Sequence, residues 1–122
     1  MTSERKYVSQ LSWQASHDSL TGLANRSEFE SRLQSMLSRF TAAHDQHSIM
    51  FLDLDQFKVV YDTCGHAAGD ELLKQTSSLL QENLRTDDVL ARLGGDEFGI
   101  LLQNCDPDMA TEIAERLRDT VE

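Results

Sequence analysis

The chain has 122 residues, 39% apolar and 26% charged, with a formal net charge of −10. That length suits one domain with a modest core, and that balance excludes a disordered chain. The acidity argues against binding duplex nucleic acid or an anionic membrane surface, and any anionic ligand would need a divalent cation and a few placed basic groups. No apolar run approaches the roughly 18 residues that read as a membrane span, and the N-terminus lacks the apolar core of a signal peptide. Cys64 and Cys105 form no CxxC pair and read as two reduced thiols.

Residues 1–16 are mixed and polar, and read as a linker or helix arriving from an upstream domain, or as an unstructured lead-in. The domain proper is expected over 17–122. Asn25 with Glu28 three positions on has the spacing of a capping box. Phe29, Leu33, Met36, Leu37 and Phe40 then recur at helical spacing, and the polar stretch from His44 to His47 ends that helix. Ile49-Met50-Phe51-Leu52 reads as a buried strand that runs into Asp53-Leu54-Asp55. A second helix opens near Gly65, with Leu72, Leu73, Thr76, Leu79, Leu80 and Leu84 on one face. Val89 to Leu93 and Phe98 to Leu102 read as two strands joined by a tight hairpin at Gly94-Gly95-Asp96. Asp106 caps a last helix that has Pro107 at its first position. Its core face is expected to be Met109, Ile113, Ala114, Leu117 and Val121.

A helix followed by β-α-β-β-α predicts an α+β fold of the split βαβ, ferredoxin-like kind: an antiparallel sheet with helices packed on it. That arrangement has one further strand beside the first, and the chain stops before it. The Ile49–Leu54 strand is therefore expected to keep an open edge, which invites pairing. The sequence is expected to be a fragment cut after its last helix.

Two acidic clusters carry the chemistry. Asp53-Leu54-Asp55 ends an apolar strand, where a carboxylate is costly unless it is paired or binds a metal. Asp96-Glu97 sits at the hairpin tip. Magnesium takes hard oxygen ligands, usually one or two carboxylates plus substrate phosphates, and Asp53 and Asp96 on neighbouring strands would supply two. Gly94 and Gly95 remove side chains where a ligand must approach the backbone, although a hairpin turn alone explains the same glycines.

Four segments change that balance. They are Asp18-Ser19-Leu20-Thr21-Gly22-Leu23-Ala24-Asn25-Arg26, Phe51-Leu52-Asp53-Leu54-Asp55-Gln56-Phe57-Lys58, Gly65-His66-Ala67-Ala68-Gly69-Asp70 and Leu93-Gly94-Gly95-Asp96-Glu97-Phe98. In this order and spacing the chain resembles the GGDEF domain, the palm-like catalytic domain of diguanylate cyclases, which join two GTP molecules into cyclic di-GMP. The resemblance covers about residues 17 to 122. It implies Asp53 and Asp96 as ligands of Mg²⁺ (or Mn²⁺), with the Leu54 carbonyl completing the site. Asp96 and Glu97 become the catalytic pair, Glu97 acting on the metal site or the 3′-hydroxyl. Gln56, Phe57 and Lys58 would hold phosphates, Gly94 and Gly95 would let the nucleotide approach, and Asp70 would read the guanine edge. His66 belongs to the same segment and is equally well explained as a structural histidine. Arg85-Thr86-Asp87-Asp88, nine residues before Gly94, matches the family's R-x-x-D product-inhibition site for cyclic di-GMP, with Arg92 contributing. One domain carries half an active site, so the resemblance implies a homodimer. It also implies a cytoplasmic domain of a bacterial sensor protein, anchored through an upstream segment.

The sequence departs from the family in two places. Tyr61 stands where the family has an Asn that pairs with the guanine edge, and a phenol cannot supply an amide's paired donor and acceptor. Tyr61 is expected to stack on the base, with weakened or relaxed base recognition. The family's C-terminal strand and basic helix are also missing. Three readings follow: an active cyclase domain, a degenerate module that binds GTP or cyclic di-GMP for regulation, and a dimerisation module.

Overall fold

The computed structural model describes residues 12–38, 46–55 and 57–121. The lead-in before residue 12, Phe40, His44, Gln56 and the side chain of Val121 lie outside what it describes. The elements are α1 (Arg26–Ser38), β1 (Ser48–Asp53), α2 (Phe57–Cys64), α3 (His66–Glu82), β2 (Val89–Gly94), β3 (Glu97–Leu102) and α4 (Pro107–Val121).

The three strands form one antiparallel sheet in the order β1-β3-β2. β3 is central, and its alternating side chains feed two cores. Phe98, Ile100 and Leu102 pack with Leu73, Leu80, Leu90, Ile113 and Leu117, which belong to α3, β2 and α4. Leu101 packs on the other face with Val89 and Ala91 of β2 and with Phe29 and Met36 of α1. Gly99 lies between them because α1 comes close here: a Cβ on it would fall 2.8 Å from Phe29 Cε2. Helices on both faces of an antiparallel sheet fit the α+β, split βαβ expectation, with β1 at an edge.

The caps form as the spacing predicts, with one change. Asn25 Oδ1 accepts the Glu28 N–H at 2.9 Å. The reciprocal half of the capping box is not made, because the Asn25 N–H donates to the Ser16 carbonyl and the Glu28 carboxylate takes Arg32. Asp106 Oδ1 accepts the Met109 N–H at 2.8 Å and starts α4 behind Pro107.

Other expectations are corrected. β1 is a half-exposed edge strand, with Ile49 41% and Phe51 70% exposed. The α1 core contacts run to β2 and β3, so that side of β1 is only skirted by the edge of the Phe29 ring. Leu37, Leu79 and Met109 face outward. Ser77 takes the buried place beside Leu80 in α3, and Ala110 packs on the core where Met109 was expected. The segment Phe57–Cys64 is helical, which the sequence reading did not anticipate.

Candidate functional site

The β2–β3 hairpin sets the geometry. Gly94 pairs with Glu97, leaving Gly95 and Asp96 as a two-residue tip, and a bulge between Arg92 and Gly94 tightens the bend. Gly94 has φ 152° and Gly95 φ 49°, conformations that side-chain-bearing residues resist. Across the sheet, Asp53 pairs with Glu97. The Leu54 N–H donates to the Asp96 carbonyl at 3.2 Å, tying the end of β1 to the hairpin tip.

These constraints bring Asp53, Asp96 and Glu97 together. A hydrogen bond with the Asp96 carboxyl pushes the Asp53 pKa up. The charge of Asp96, slight desolvation and the charges of Glu97 and Asp55 add to the rise. Two carboxyl groups can share a hydrogen bond only with a proton between them, and a divalent cation can take that proton's place. Among the described residues no group of three or more His, Cys, Asp or Glu side chains is arranged to hold a metal ion. Two carboxylates and a carbonyl with the remaining positions open suit Mg²⁺, which keeps water and phosphate ligands. The Leu54 carbonyl already accepts the Phe57 N–H at 3.2 Å and keeps a second lone pair. The Phe57 N–H is thereby committed to the chain, while Lys58 is exposed beside it. Phe51, Leu52, Asp53, Leu93, Glu97 and Phe98 line a cleft along this end of the sheet.

Two arginines, Arg26 and Arg92, stand at this site. Arg26 Nη2 lies 3.9 Å from Glu97, and its Nε donates to the Leu93 carbonyl at 3.3 Å. It was visible only as the last residue of the Asp18–Arg26 segment. Arg92 Nη1 pairs with Asp18 at 3.1 Å, and its Nε donates to the Gly95 carbonyl at 3.0 Å. Asp18 also accepts the backbone N–H and hydroxyl of Thr21. Burial pushes the Asp18 pKa up, but the Thr21 hydrogen bonds and Arg92 outweigh it and hold the carboxylate below its usual range. Arg92 thus braces the hairpin against the loop that precedes α1.

Arg92 is consequently not brought to Arg85 and Asp88. It sits at the hairpin end of β2, whereas the Arg85 guanidinium donates to Asp88 at 2.8 Å and to the Gln103 carbonyl at 2.9 Å at the opposite end. The Asp88 side chain is fully buried and both its oxygens are taken by Arg85, so this conformation offers no Asp88 oxygen to a guanine. The Arg85 side chain remains 36% exposed.

The expected base site lies between α2 and α3. Gly65, with φ 92°, turns one helix into the next in a single residue. Tyr61 is half-buried there. Its hydroxyl hydrogen-bonds His66 Nδ1, and its ring contacts the rings of Phe57 and His66. Asp70 is half-buried further along α3.

The chain belongs to the GGDEF domain family: the family described as diguanylate cyclase, GGDEF domain, matches residues 15–122. It is 51% identical over 121 residues to the probable diguanylate cyclase DgcE of Escherichia coli (strain K12), covering 99% of this chain and 11% of that protein. The diguanylate cyclase SiaD of Pseudomonas aeruginosa, solved with its activator SiaC, superposes with a TM-score of 0.82 at 34% identity, over 98% of this chain and 46% of that one. The coiled coil and GGDEF domain of DgcB from Caulobacter crescentus, solved with cyclic di-GMP, gives 0.85 at 26% identity, over 95% of this chain and 61% of that one. The chain thus spans about a tenth of DgcE's length and under half of SiaD's. No helix among the described residues is long and apolar enough to cross a membrane.

Proposed function

We propose that this domain acts in a diguanylate cyclase, condensing two GTP molecules into cyclic di-GMP with release of pyrophosphate. The observation that carries the reading is the crowding of Asp53 against Asp96 and Glu97 at the open end of the sheet. A cluster that raises the pKa of its own carboxyl is poised for a cation and the phosphates that accompany it.

Asp53, Asp96 and the Leu54 carbonyl would hold Mg²⁺ or Mn²⁺, which when bound shields phosphate charge and favours ionisation of a 3′-hydroxyl. Glu97, beside this site and held near Arg26, would orient that hydroxyl and hold its proton. Lys58 and the N-terminal backbone of α2 would hold phosphates, with Gln56 next to them in sequence. Gly94 and Gly95 leave the hairpin tip open to the nucleotide, and Tyr61 and Asp70 lie at the base site. Much of the rate enhancement would come from positioning and charge neutralisation. Because the two reacting nucleotides each need such a site, two copies of the domain must face each other. Arg85 would contact cyclic di-GMP at a separate inhibitory site, exchanging part of its bond to Asp88 for the ligand.

A second reading, a GGDEF module that binds nucleotide without turnover, is favoured by one feature: the amide of the family is replaced by Tyr61, held by His66. The test is conversion of GTP to cyclic di-GMP with Mg²⁺, with Glu97→Gln as control. Product from the native protein and a loss of at least about 100-fold in the variant are expected, the scale seen when one transition-state contact is removed. A folded dimer that binds GTP and forms no product would leave the binding module as the better reading.

A further inference from the structure

We propose that Tyr61 and His66 together form a base-reading pair, with the Tyr61 hydroxyl as the specificity contact and His66 as the positioning residue that fixes its polarity. The proposal rests on the nucleotide-site reading above and assigns that site its purine preference.

The Tyr61 ring is held on three sides. Phe57, one turn earlier on α2, approaches with ring centroids 5.3 Å apart. His66, the first residue of α3, approaches to 4.1 Å. Gly69 closes the third side: a Cβ there would lie 2.5 Å from Tyr61 Cδ2. The one-residue junction at Gly65, whose N–H donates to the Tyr61 carbonyl at 3.1 Å, delivers His66 to the phenol. The Tyr61 side chain is therefore locked, and its hydroxyl is anchored on His66 Nδ1.

That anchor decides what the hydroxyl can offer a ligand. A phenol has one hydrogen and two lone pairs, and a free phenol can turn either toward a base. The proposed pair has Nδ1 as the acceptor of the phenol hydrogen, which requires the imidazole proton on Nε2. The oxygen then presents only lone pairs outward. It can accept from the N1–H and 2-amino groups of guanine, whereas the N1 of adenine is itself an acceptor and would meet it lone pair to lone pair. A locked acceptor thus discriminates between the two purines without an amide. Phe at position 61 removes the oxygen, and Phe at position 66 frees the hydroxyl to turn its hydrogen outward.

The test is titration of GTP and of ATP, with Mg²⁺, into the native protein and into Tyr61→Phe, His66→Phe, His66→Gln and the double Phe variant. Both Phe variants are expected to lose about 5- to 10-fold in GTP affinity, the range for one hydrogen bond, while ATP affinity holds or rises. The double variant should be no worse than Tyr61→Phe alone, because the two residues act through one oxygen. His66→Gln, which restores a side-chain acceptor, should recover most of the GTP preference. Native-like GTP binding in both Phe variants would overturn the pair while leaving the proposed function standing. So would equal loss of GTP and ATP at an unchanged melting temperature, which marks a packing role. Absence of GTP binding by the native protein would overturn both.

Discussion

Asp18 and Arg92 lie 74 residues apart and meet at 3.1 Å, largely out of solvent. Removing one partner leaves the other's charge poorly solvated, so Asp18→Asn is expected to cost about 1–3 kcal/mol in denaturant unfolding. The pH dependence has a definite sign. Asp18 is held below its ordinary range in the folded chain, so its stabilisation is present above the unfolded carboxylate value. It is lost as pH falls through the lower folded value, and the variant and native curves should converge in acid. Gly99 offers a steric counterpart. Gly99→Ala would push its methyl into the Phe29 ring, which is closely packed on Ala91 and Leu101, at a cost of about 1–3 kcal/mol by thermal melt. The acidic clusters were legible in the sequence because carboxylates at the end of an apolar strand demand an explanation. The partners of Arg92 and Arg26 were not, since no local pattern encodes a contact that depends on how a hairpin folds back onto a distant loop.

Among the elements, α4 starts where its sequence predicts, although Met109 faces outward rather than into the core. Asp106 supplies the cap and Pro107 fits the first turn, where no N–H is needed. Asp106→Ala should therefore lower unfolding stability by about 0.5–2 kcal/mol without affecting nucleotide binding, which is remote from this helix start. The apolar periodicity of α1 and α3 likewise gave helices of the right kind. Two elements resisted. The eight-residue α2 is shorter than the window over which helical periodicity becomes visible, and its Val59-Val60-Tyr61 run suggests strand as readily as helix. In β1, a short apolar run reads the same whether a strand is buried on both faces or lies at an edge, so the exposure of Ile49 and Phe51 was hidden. The missed helix has the larger functional consequence, because it brings the Tyr61 hydroxyl onto His66 Nδ1.

For the molecule as a whole, the sheet order β1-β3-β2 places the end of β1 against the tip of the β2–β3 hairpin, and this alone assembles Asp53, Asp96 and Glu97. The segment motifs made that convergence legible, since they fix which strand ends carry acid. The separation of Arg92 from Arg85 was not legible, because six intervening residues give no distance until β2 is known to run between them. The assembled cluster sets carboxylate against carboxylate, and its folded Asp53 is raised above the ordinary value. Such a group stabilises the fold fully only when protonated, at pH below its unfolded value, and that contribution is lost as pH rises through the folded value. At neutral pH a bound cation should restore what the missing proton no longer supplies. The most direct measurement is the melting temperature of native protein and Asp53→Asn at neutral pH, with and without Mg²⁺ and GTP. Without ligands the variant should melt no lower than the native protein, and only the native protein should gain markedly from Mg²⁺ with GTP. Equal stabilisation of both by Mg²⁺ and GTP would contradict the assignment of Asp53 to the cation site.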